Sequence, residues 1–329
     1  MTLDSALHWK FAERLRLEHA PCFVAAMNKG RVCGPCGAVI TPDDCLLRDV
    51  SRESASPESA HSDFYRLWLG PLRRVEKRGA VLATVWSNVY FHWMLDVLPR
   101  VELLNRAGLL KSIDAFVVSQ NALPFQRQSL LKLGLNSDRL IVADRQRCFH
   151  LEAAELIVPS LPSALDNPMG WACEFIQKQF KPRGTSAEAG RRRLYVTRAA
   201  AKGRRILNEA GVLEKLLPAG FECVNLESLT LAEQAELFAS AGCVVAPHGA
   251  GLTNILFCDP GTVVVDIFAP TYVNPCYWVI ANELNLTYCY LLGEGPQPPP
   301  GVDPDKKVDD IRVHVPSLMK LLRLNGVNC

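Results

Sequence analysis

Apolar runs of strand length alternate with segments of helical period through the second half of the chain. The runs are short, continuous and rich in β-branched residues, as expected for strands covered on both faces of a sheet. In chain order they are LYVT, FECVNL, CVVAP, TVVVDIF and LTYCYLL, starting at residues 194, 221, 243, 262 and 286. In one segment between them, Thr230 and Glu233 have the spacing of a capping box at a helix start. The alternation predicts a five-stranded parallel sheet with helices on both faces.

The first half of the chain is less regular. Short extended runs separated by turn signals occupy residues 23–27, 31–34, 37–41 and 45–50. A helical period follows over residues 87–108, where Pro99 should end or kink the helix near Leu98. Two buried strands at 115–119 and 139–144 then flank a helix at 124–135, which together make a βαβ unit. The first lobe is therefore also predicted to be α/β.

Polar stretches suggest where the lobes begin and end. Residues 51–63 read as a loop, and residues 181–193 are polar, charged and without an apolar period, as in a linker. We predict an N-terminal lobe over residues 1–185, beginning with a surface helix, and a C-terminal lobe over residues 186–296. Residues 297–329 should form a closing loop, a short strand and a helix.

Composition narrows the classes of function. The chain has 329 residues, of which 49% are hydrophobic and 21% charged, which is ordinary for a globular protein. A formal net charge of +2 gives little steering, so no nucleic-acid partner is expected. No apolar run is long enough to span a bilayer, and the start lacks a signal-peptide pattern. Cys33 and Cys36 lack the second cysteine pair that a structural zinc site needs. The twelve cysteines are spread over a long chain, several of them in apolar segments, and this predicts a reduced, cytosolic protein.

A candidate anion-binding loop follows the strand CVVAP. Open parallel sheets bind ligands beyond the carboxyl ends of their strands. The chain there reads His248, Gly249, Ala250, Gly251, and a short helix follows. Glycines let the backbone approach a ligand closely, and N–H groups at a helix start favour an anion such as a diphosphate. A tight turn with no ligand is the alternative interpretation.

Basic residues cluster around the first strand of the same lobe. Arg198 follows the carboxyl end of that strand, and Lys202, Arg204 and Arg205 come soon after. Because the guanidinium fork matches phosphate oxygens, we predict that Arg198 binds phosphate. Residues 191–193, before the strand, are interpreted as a solvated basic face.

Asp266 lies near the end of the strand TVVVDIF. It can accept hydrogen bonds from ribose hydroxyls or cap the loop that follows, and both interpretations stay open. No G-x-G-x-x-G motif is present, which weakens the case for a nicotinamide or flavin enzyme.

His92 and Asp96 are four residues apart in the helical segment of the first lobe, hence on one helical face. A histidine titrates near neutrality and suits proton removal. The two side chains are either a base with its orienting partner or two alternative bases. A satisfied polar contact is the structural alternative.

Four ordered motifs resemble glycosyltransferase family 61. They are FHWMLDVLPR at 91–100, YVTRAAAKGRRILNE at 195–209, and the capping-box helix and glycine loop within residues 228–268. The resemblance implies a GT-B architecture, meaning two Rossmann-like lobes with a cleft between them. It also implies inversion at the anomeric carbon, a UDP-sugar donor, and neither a metal nor a cofactor. Family members use different sugars, among them N-acetylglucosamine, xylose and arabinose.

These expectations combine into one hypothesis about the site. The set expected to bind the donor diphosphate is Arg198, Arg204, Arg205, His248, Gly249, Ala250, Gly251 and Asn254. Asp266 is a candidate for the ribose, and His92 or Asp96 is the base that faces the acceptor.

The expected acceptor is a glycan or glycolipid, in the synthesis of a surface polysaccharide. We expect a cytoplasmic chain, with peripheral contact to the inner face of the membrane, or else a Golgi or endoplasmic reticulum enzyme without its anchor. A catalytically silent nucleotide-sugar or glycan-binding module and a Rossmann-type dehydrogenase are the alternative functions. The first would bind UDP without turnover, and the second would carry cofactor absorbance.

Overall fold

The computed structural model describes residues 2–3, 7–16, 18–53, 69–143, 148–163, 166–184 and 192–329. Contacts divide the chain into an N-terminal unit, His19–Gln179, and a C-terminal unit that joins Met1–Glu18 to Phe180–Cys329. The predicted loop at 51–63 and linker at 181–193 lie partly outside the described residues. Among the helices described, none is both long and apolar enough to cross a bilayer.

A mixed sheet of seven strands, counted over the described residues, forms the N-terminal unit. The strands are β1 (Val24–Asn28), β2 (Arg31–Cys33), β3 (Ala38–Ile40), β4 (Arg73–Val81), β5 (Ala115–Val118), β6 (Leu140–Val142) and β7 (His150–Pro159). Their order is β3-β2-β7-β4-β5-β6, and β1 also pairs with β7. β4 to β7 are mutually parallel, whereas β1 and β2 run antiparallel to β7. The βαβ unit predicted around residues 115–144 is confirmed by β5 and β6, which pair in parallel.

Helices cover both sheets. In the described part of the chain the α-helices are α1 (Trp9–Arg14), α2 (Tyr90–His92), α3 (Leu98–Arg106), α4 (Pro124–Lys132), α5 (Gly170–Phe180), α6 (Glu209–Leu216), α7 (Leu231–Ala239), α8 (Cys276–Glu283) and α9 (Val315–Leu324). The helices predicted after residue 190 are all present, although residues 250–257 form a 3-10 helix.

The N-terminal unit departs from the sequence prediction at residues 45–50, and the strands β4 and β7 are not among the predicted runs. Residues 45–50, predicted as a strand, form turns with a single bridge from Leu46 to Ile40. The hydrophobic pattern does not predict β7, because glutamates interrupt its apolar run. In the structure these glutamates pair across to β4, where Arg74 Nε lies 3.2 Å from Glu152 and Arg78 Nε lies 2.6 Å from Glu155. These partly exposed pairs add little to stability, and most of the apolar residues beside the glutamates are buried in the sheet.

The helix predicted over residues 87–108 contains a π-helical turn, Trp93–Val97, between α2 and α3. Pro99 lies in the first turn of α3 and has no N–H to donate to the carbonyl four residues earlier. The regular α-helical pairing is therefore interrupted just before it. The interruption lies where the sequence predicts a break, but the chain continues as a helix. Single π turns are frequent at functional sites.

A fully parallel five-stranded sheet forms the C-terminal unit and confirms the predicted α/β class. Its strands are β8 (Arg192–Val196), β9 (Phe221–Val224), β10 (Ala241–Pro247), β11 (Val263–Phe268) and β12 (Thr287–Leu292). The order is β9-β8-β10-β11-β12, so the strand order reverses between β8 and β10. The predicted capping box is confirmed at α7, where Thr230 Oγ1 accepts from Glu233 N at 3.3 Å.

The closing segment belongs to the C-terminal unit. Leu318, Leu321 and Leu322 of α9 are buried in one cluster with Val265 and Leu291 of the sheet. The short strand predicted there is reduced to one bridge between Ile206 and Ile311. Residues 297–329 therefore complete the core of this unit and are not a separate part.

α1 belongs to the C-terminal unit, not to the N-terminal lobe as predicted. Phe11 is 1% exposed, and its ring stacks on Tyr290 of β12 with centroids 4.6 Å apart. The His8 N–H donates to the Tyr290 hydroxyl at 3.0 Å. The interpretation of α1 as a surface helix is therefore incomplete. A single buried residue, Phe11, makes no repeating hydrophobic pattern that the sequence could show.

Replacing Phe11 with alanine should lower the free energy of unfolding of the C-terminal unit by about 3–5 kcal/mol, the usual cost of truncating a buried phenylalanine. Urea unfolding followed by tryptophan fluorescence would measure it. Leu15→Ala is the matched control, because Leu15 ends the same helix and is 71% exposed. Equal stability of the two variants would contradict the packing role of α1.

Candidate active site

The point where the strand order reverses lies between β8 and β10, and it gathers the predicted donor residues. In a doubly wound sheet the crevice beyond these carboxyl ends is the usual ligand site. β8 runs into Thr197 and Arg198, and β10 runs into His248 and Gly249. The structure therefore brings Arg198, His248 and Gly249 to one end of the sheet, as the sequence predicts.

Arg198 and Arg204 form what we call the arginine pair. The Arg198 side chain is half-buried and donates from Nη2 to the Gly203 carbonyl at 3.3 Å. Burial lowers the pKa of Arg198, and the positive charge of Arg204 lowers it further. The Arg204 guanidinium lies over the Tyr272 ring, 5.4 Å from its centroid. Two like charges therefore lie close together in a partly desolvated place.

Each member of the arginine pair has an unused donor. The Nε atoms of Arg198 and Arg204 are buried and have no hydrogen-bond partner. No ion pair joins either guanidinium to a carboxylate of the described residues. A buried donor without a partner costs free energy, and a buried charge without a counter-ion costs more. An anionic ligand would remove both costs at once.

Gly249 allows the Arg198 guanidinium to lie against the turn after β10. A Cβ atom on Gly249 would lie 2.7 Å from Cζ of Arg198 and collide with its Nη1. The backbone of Gly249 is extended, so the need for glycine is one of space and not of φ. The Tyr277 hydroxyl holds this turn by donating to the Gly249 carbonyl at 2.7 Å.

The 3-10 helix Ala250–Phe257 starts directly after Gly249. The N–H groups of a first helical turn have no partner within the helix. Ala250 and Gly251 supply such groups and are half-buried beside the turn. A backbone contribution to anion binding, as predicted, fits this placement.

Asp266 is engaged inside the protein and does not face a ligand. It is fully buried, and its Oδ2 accepts from the Tyr288 hydroxyl at 2.8 Å and lies 3.0 Å from Nδ1 of His248. Because a carboxylate only accepts, Nδ1 of His248 carries the proton of this hydrogen bond. The ribose interpretation of Asp266 is therefore replaced by a positioning role for His248.

Two further residues of the predicted donor set have structural partners. Asn254 is fully buried, and its Nδ2 donates to Gln234 Oε1 at 2.8 Å and to the Gly251 carbonyl at 3.1 Å. Arg205 is half-exposed and donates from Nη2 to Asp310 at 2.6 Å. The first fixes the 3-10 helix on α7, and the second ties the closing segment to the sheet.

Of the two described basic residues at the start of β8, Arg192 is exposed, as a solvated basic face would be, whereas Arg193 is half-buried. Arg192 pairs with Glu222 on the neighbouring strand, and Arg193 donates to the Ala219 carbonyl at 2.6 Å. Arg191 lies outside the described residues.

The structure joins His92 and Asp96 in the N-terminal unit, as their spacing predicts. Nδ1 of His92 lies 2.7 Å from Oδ2 of Asp96, across the π turn. The second carboxylate oxygen of Asp96 accepts from the Ser163 hydroxyl. Nε2 of His92 lies 3.8 Å from Oδ1 of Asp166. We call His92 and Asp96 the His–Asp pair.

The electrostatics of the His–Asp pair favour a charged imidazole. Burial alone would lower the pKa of His92, but the hydrogen bond to Asp96 and the charges of Asp96 and Asp166 raise it above its ordinary value of 6.5. Arg100 is fully buried one helical turn after Asp96 and donates from Nη2 to the Pro159 carbonyl at 2.8 Å. Burial lowers the pKa of Arg100 to about 10, while Asp96 acts to raise it.

Residues that sequence reasoning missed complete this part of the site. The Trp86 ring lies 5.1 Å from the His92 ring, and Trp86 has a φ of 59°, in a region that bulky residues rarely adopt. Asp166 has a φ of 58°. Arg100 was detectable, because it follows Asp96 by four residues in FHWMLDVLPR. Trp86, Ser163 and Asp166 carry no spacing signal, since other elements bring them to the helix.

Comparison with known proteins identifies the family of the chain. The family model described as Glycosyltransferase 61 covers residues 90–265, more than half of the chain. The matched stretch contains the His–Asp pair, the arginine pair and the turn at Gly249. No curated protein matches the chain. The resemblance seen in the motifs is thus confirmed, and the chain belongs to glycosyltransferase family 61 and is a glycosyltransferase acting on a sugar donor and an acceptor.

Proposed function

We propose that this glycosyltransferase moves a sugar from a UDP-sugar to a hydroxyl of a glycan, with inversion at the anomeric carbon and without a metal ion. The observation that carries the proposal is the arginine pair, whose two buried Nε donors lack partners at the end of the sheet where ligands bind. Two guanidinium groups and the first N–H groups of the 3-10 helix match the charge and the oxygens of a diphosphate. A GT-B architecture remains a prediction.

In the proposed reaction, His92 removes the proton of the acceptor hydroxyl. The hydroxyl oxygen then forms a bond to the anomeric carbon from the face opposite the diphosphate. The bond from that carbon to the diphosphate oxygen breaks, and its electron pair leaves with the diphosphate. Arg198 and Arg204 stabilise the negative charge that develops there, which is electrostatic catalysis of the leaving group.

His92 suits the role of base better than Asp96. Both oxygens of Asp96 already accept, from His92 and from Ser163. Nδ1 of His92 donates to Asp96, so Nε2 holds the lone pair that can take a proton. Asp96 therefore acts as a positioning residue, and its charge stabilises the imidazolium after proton transfer.

The rate should depend on pH through His92. Only neutral His92 is a base, so kcat/KM should rise with pH through a midpoint above 6.5, because Asp96 and Asp166 raise the pKa. In Asp96→Asn the charge that raises the pKa of His92 is lost, while burial still lowers this pKa. The midpoint of the residual activity should therefore shift to lower pH. The profile of kcat/KM from acid to alkaline pH measures both midpoints. An unchanged midpoint in Asp96→Asn would assign the titration to another group.

A thermal-shift screen of nucleotides and UDP-sugars, with and without EDTA, tests the donor site. A ligand that binds only the folded state raises Tm by mass action. UDP should raise Tm equally with and without EDTA, and the best UDP-sugar names the donor for assays. No shift with any nucleotide would refute the proposal. A shift without transfer to any acceptor would favour a silent binding module.

The finer identity of the substrates is also a proposal. We infer N-acetylglucosamine, xylose or a similar sugar as the group transferred. We further infer an acceptor in surface polysaccharide synthesis on the cytoplasmic side of the membrane. Radiolabelled transfer to isolated glycans with each UDP-sugar would identify both.

A further inference from the structure

A cavity of about 740 Å³ lies within the N-terminal unit. It opens where β4, β5 and β6 end, since Thr84, Ser119 and Ala143 line it. The turn between β2 and β3 forms another part of the wall. The volume falls within the range of about 300–1,000 Å³ that is usual for small-molecule sites. No residue of the arginine pair or the His–Asp pair lines it.

The lining suits a sugar. The lining includes hydroxyl and amide side chains from Thr84, Ser87 and Gln120 and apolar side chains from two prolines and Phe149. A sugar ring offers hydroxyls at its edge and C–H groups on its faces, so it needs both kinds of surface. Arg73 is the single charged side chain among the described lining residues. The charge of Arg73 would favour an acidic sugar over a basic one.

His150 lines the cavity and has a ring nitrogen that lacks a hydrogen-bond partner. Its Nδ1 faces the Gly70 carbonyl at 3.5 Å, so Nδ1 carries the proton and Nε2 holds a lone pair. Nε2 is buried and has no hydrogen-bond partner. Burial lowers the pKa of His150, and the charge of Arg31 lowers it further, so the ring is neutral at neutral pH. A ligand hydroxyl donating to Nε2 would satisfy this atom.

One loop connects the cavity to the proposed base. Thr84 and Ser87 line the cavity, and Trp86 between them lies over His92. A hydrogen bond anchors the loop, since Gln126 Nε2 donates to the Ser87 carbonyl at 2.9 Å. A molecule bound in the cavity would therefore be fixed relative to His92 through a short, anchored segment.

We propose that this cavity binds a saccharide unit of the acceptor glycan other than the one that carries the reacting hydroxyl. The inference rests on the proposed function, because it gives the cavity a role in placing the acceptor. Neutral sugar hydroxyls would pair with His150, Ser87 and Gln120, and Arg73 would take the carboxylate of an acidic unit.

Cysteine footprinting of the full chain tests this binding. Cys148 lines the cavity and is exposed, whereas Cys45 and Cys223 are exposed elsewhere and serve as internal controls. The rate of alkylation by iodoacetamide would be measured by peptide mass spectrometry. It would be compared without ligand and with chitobiose, xylobiose or a glucuronic acid disaccharide at high millimolar concentration. A disaccharide at ten times its Kd should slow alkylation of Cys148 by about tenfold, by mass action, and leave both controls unchanged.

Two variants separate cavity binding from surface effects. Gln120→Trp fills the cavity and should abolish the protection of Cys148. Ala122→Trp adds the same side chain to an exposed position of the same loop, outside the lining, and should keep the protection. Absence of protection by all three disaccharides, or equal protection in Gln120→Trp, would overturn the proposal.

The UDP thermal shift, measured on the same samples, keeps the two proposals apart. A UDP shift without protection of Cys148 rejects the saccharide site alone. Protection of Cys148 without a UDP shift rejects the proposed donor chemistry and supports the saccharide site.

Discussion

Replacing His92 with alanine should lower kcat by about 10²- to 10⁴-fold, the range over which a positioned base accelerates a reaction. The loss follows from removing Nε2, the lone pair that receives the acceptor proton. The affinity for UDP should stay unchanged, because His92 belongs to the N-terminal unit and the arginine pair to the C-terminal unit. Steady-state kinetics with the best UDP-sugar, together with calorimetry of UDP binding, would measure both quantities.

Asp96→Asn and Ser163→Ala test how far the activity depends on the partners of His92. Asp96→Asn keeps the shape but removes the charge that orients His92 and stabilises its protonated form, so kcat should fall almost as far. Ser163→Ala removes one hydrogen bond to Asp96 and should cost much less. Full transfer by His92→Ala would show that the base lies elsewhere, and full transfer by Asp96→Asn would refute the positioning role of Asp96.

Replacing Arg198 with alanine should weaken UDP binding by about 10- to 150-fold. That range corresponds to about 1.5–3 kcal/mol for hydrogen bonds to a charged group. The value of kcat should fall as well, because the leaving diphosphate loses a cation that stabilises it. Isothermal calorimetry with UDP gives the change in affinity, and kinetics at saturating donor gives the change in kcat.

Other substitutions on this unit serve as controls. Arg192→Ala removes the same charge from a surface ion pair with Glu222 and should leave the affinity for UDP within about twofold, because exposed pairs contribute little. Gly249→Ala keeps every charge but displaces the Arg198 guanidinium, so it should weaken UDP binding toward the Arg198→Ala value. Equal affinities in Arg198→Ala and Arg192→Ala would reject the diphosphate site.

Local signals account for what the sequence predicts well. The parallel sheet of the C-terminal unit follows from continuous apolar strands, and the start of α7 from Thr230 and Glu233. The contact of His92 with Asp96 follows from helical spacing alone. Each of these depends on residues within one or two turns of one another, where pattern and geometry are directly linked.

Long-range pairings explain what the sequence did not predict. Asp266 accepts a hydrogen bond from Tyr288 on the next strand. In the register of the two strands Asp266 pairs with Tyr290, and Tyr288, two residues earlier, lies on the same face of the sheet. Arg205 meets Asp310 across 105 positions of sequence. The sequence does not tell whether a carboxylate or an arginine binds a ligand or a distant residue of the same chain. Asp266 and Arg205 were therefore assigned to the donor site.

The packing of Phe11 on Tyr290 has a consequence for how the chain folds during synthesis. The N-terminal unit is an insertion between two parts of the C-terminal unit. Residues 19–179 can therefore fold while the ribosome is still making the second sheet, since domains fold as units in order of synthesis. α1 must wait until β12 has emerged before Phe11 finds its site. A helix that precedes the N-terminal unit in the sequence thus docks only after that unit has been made.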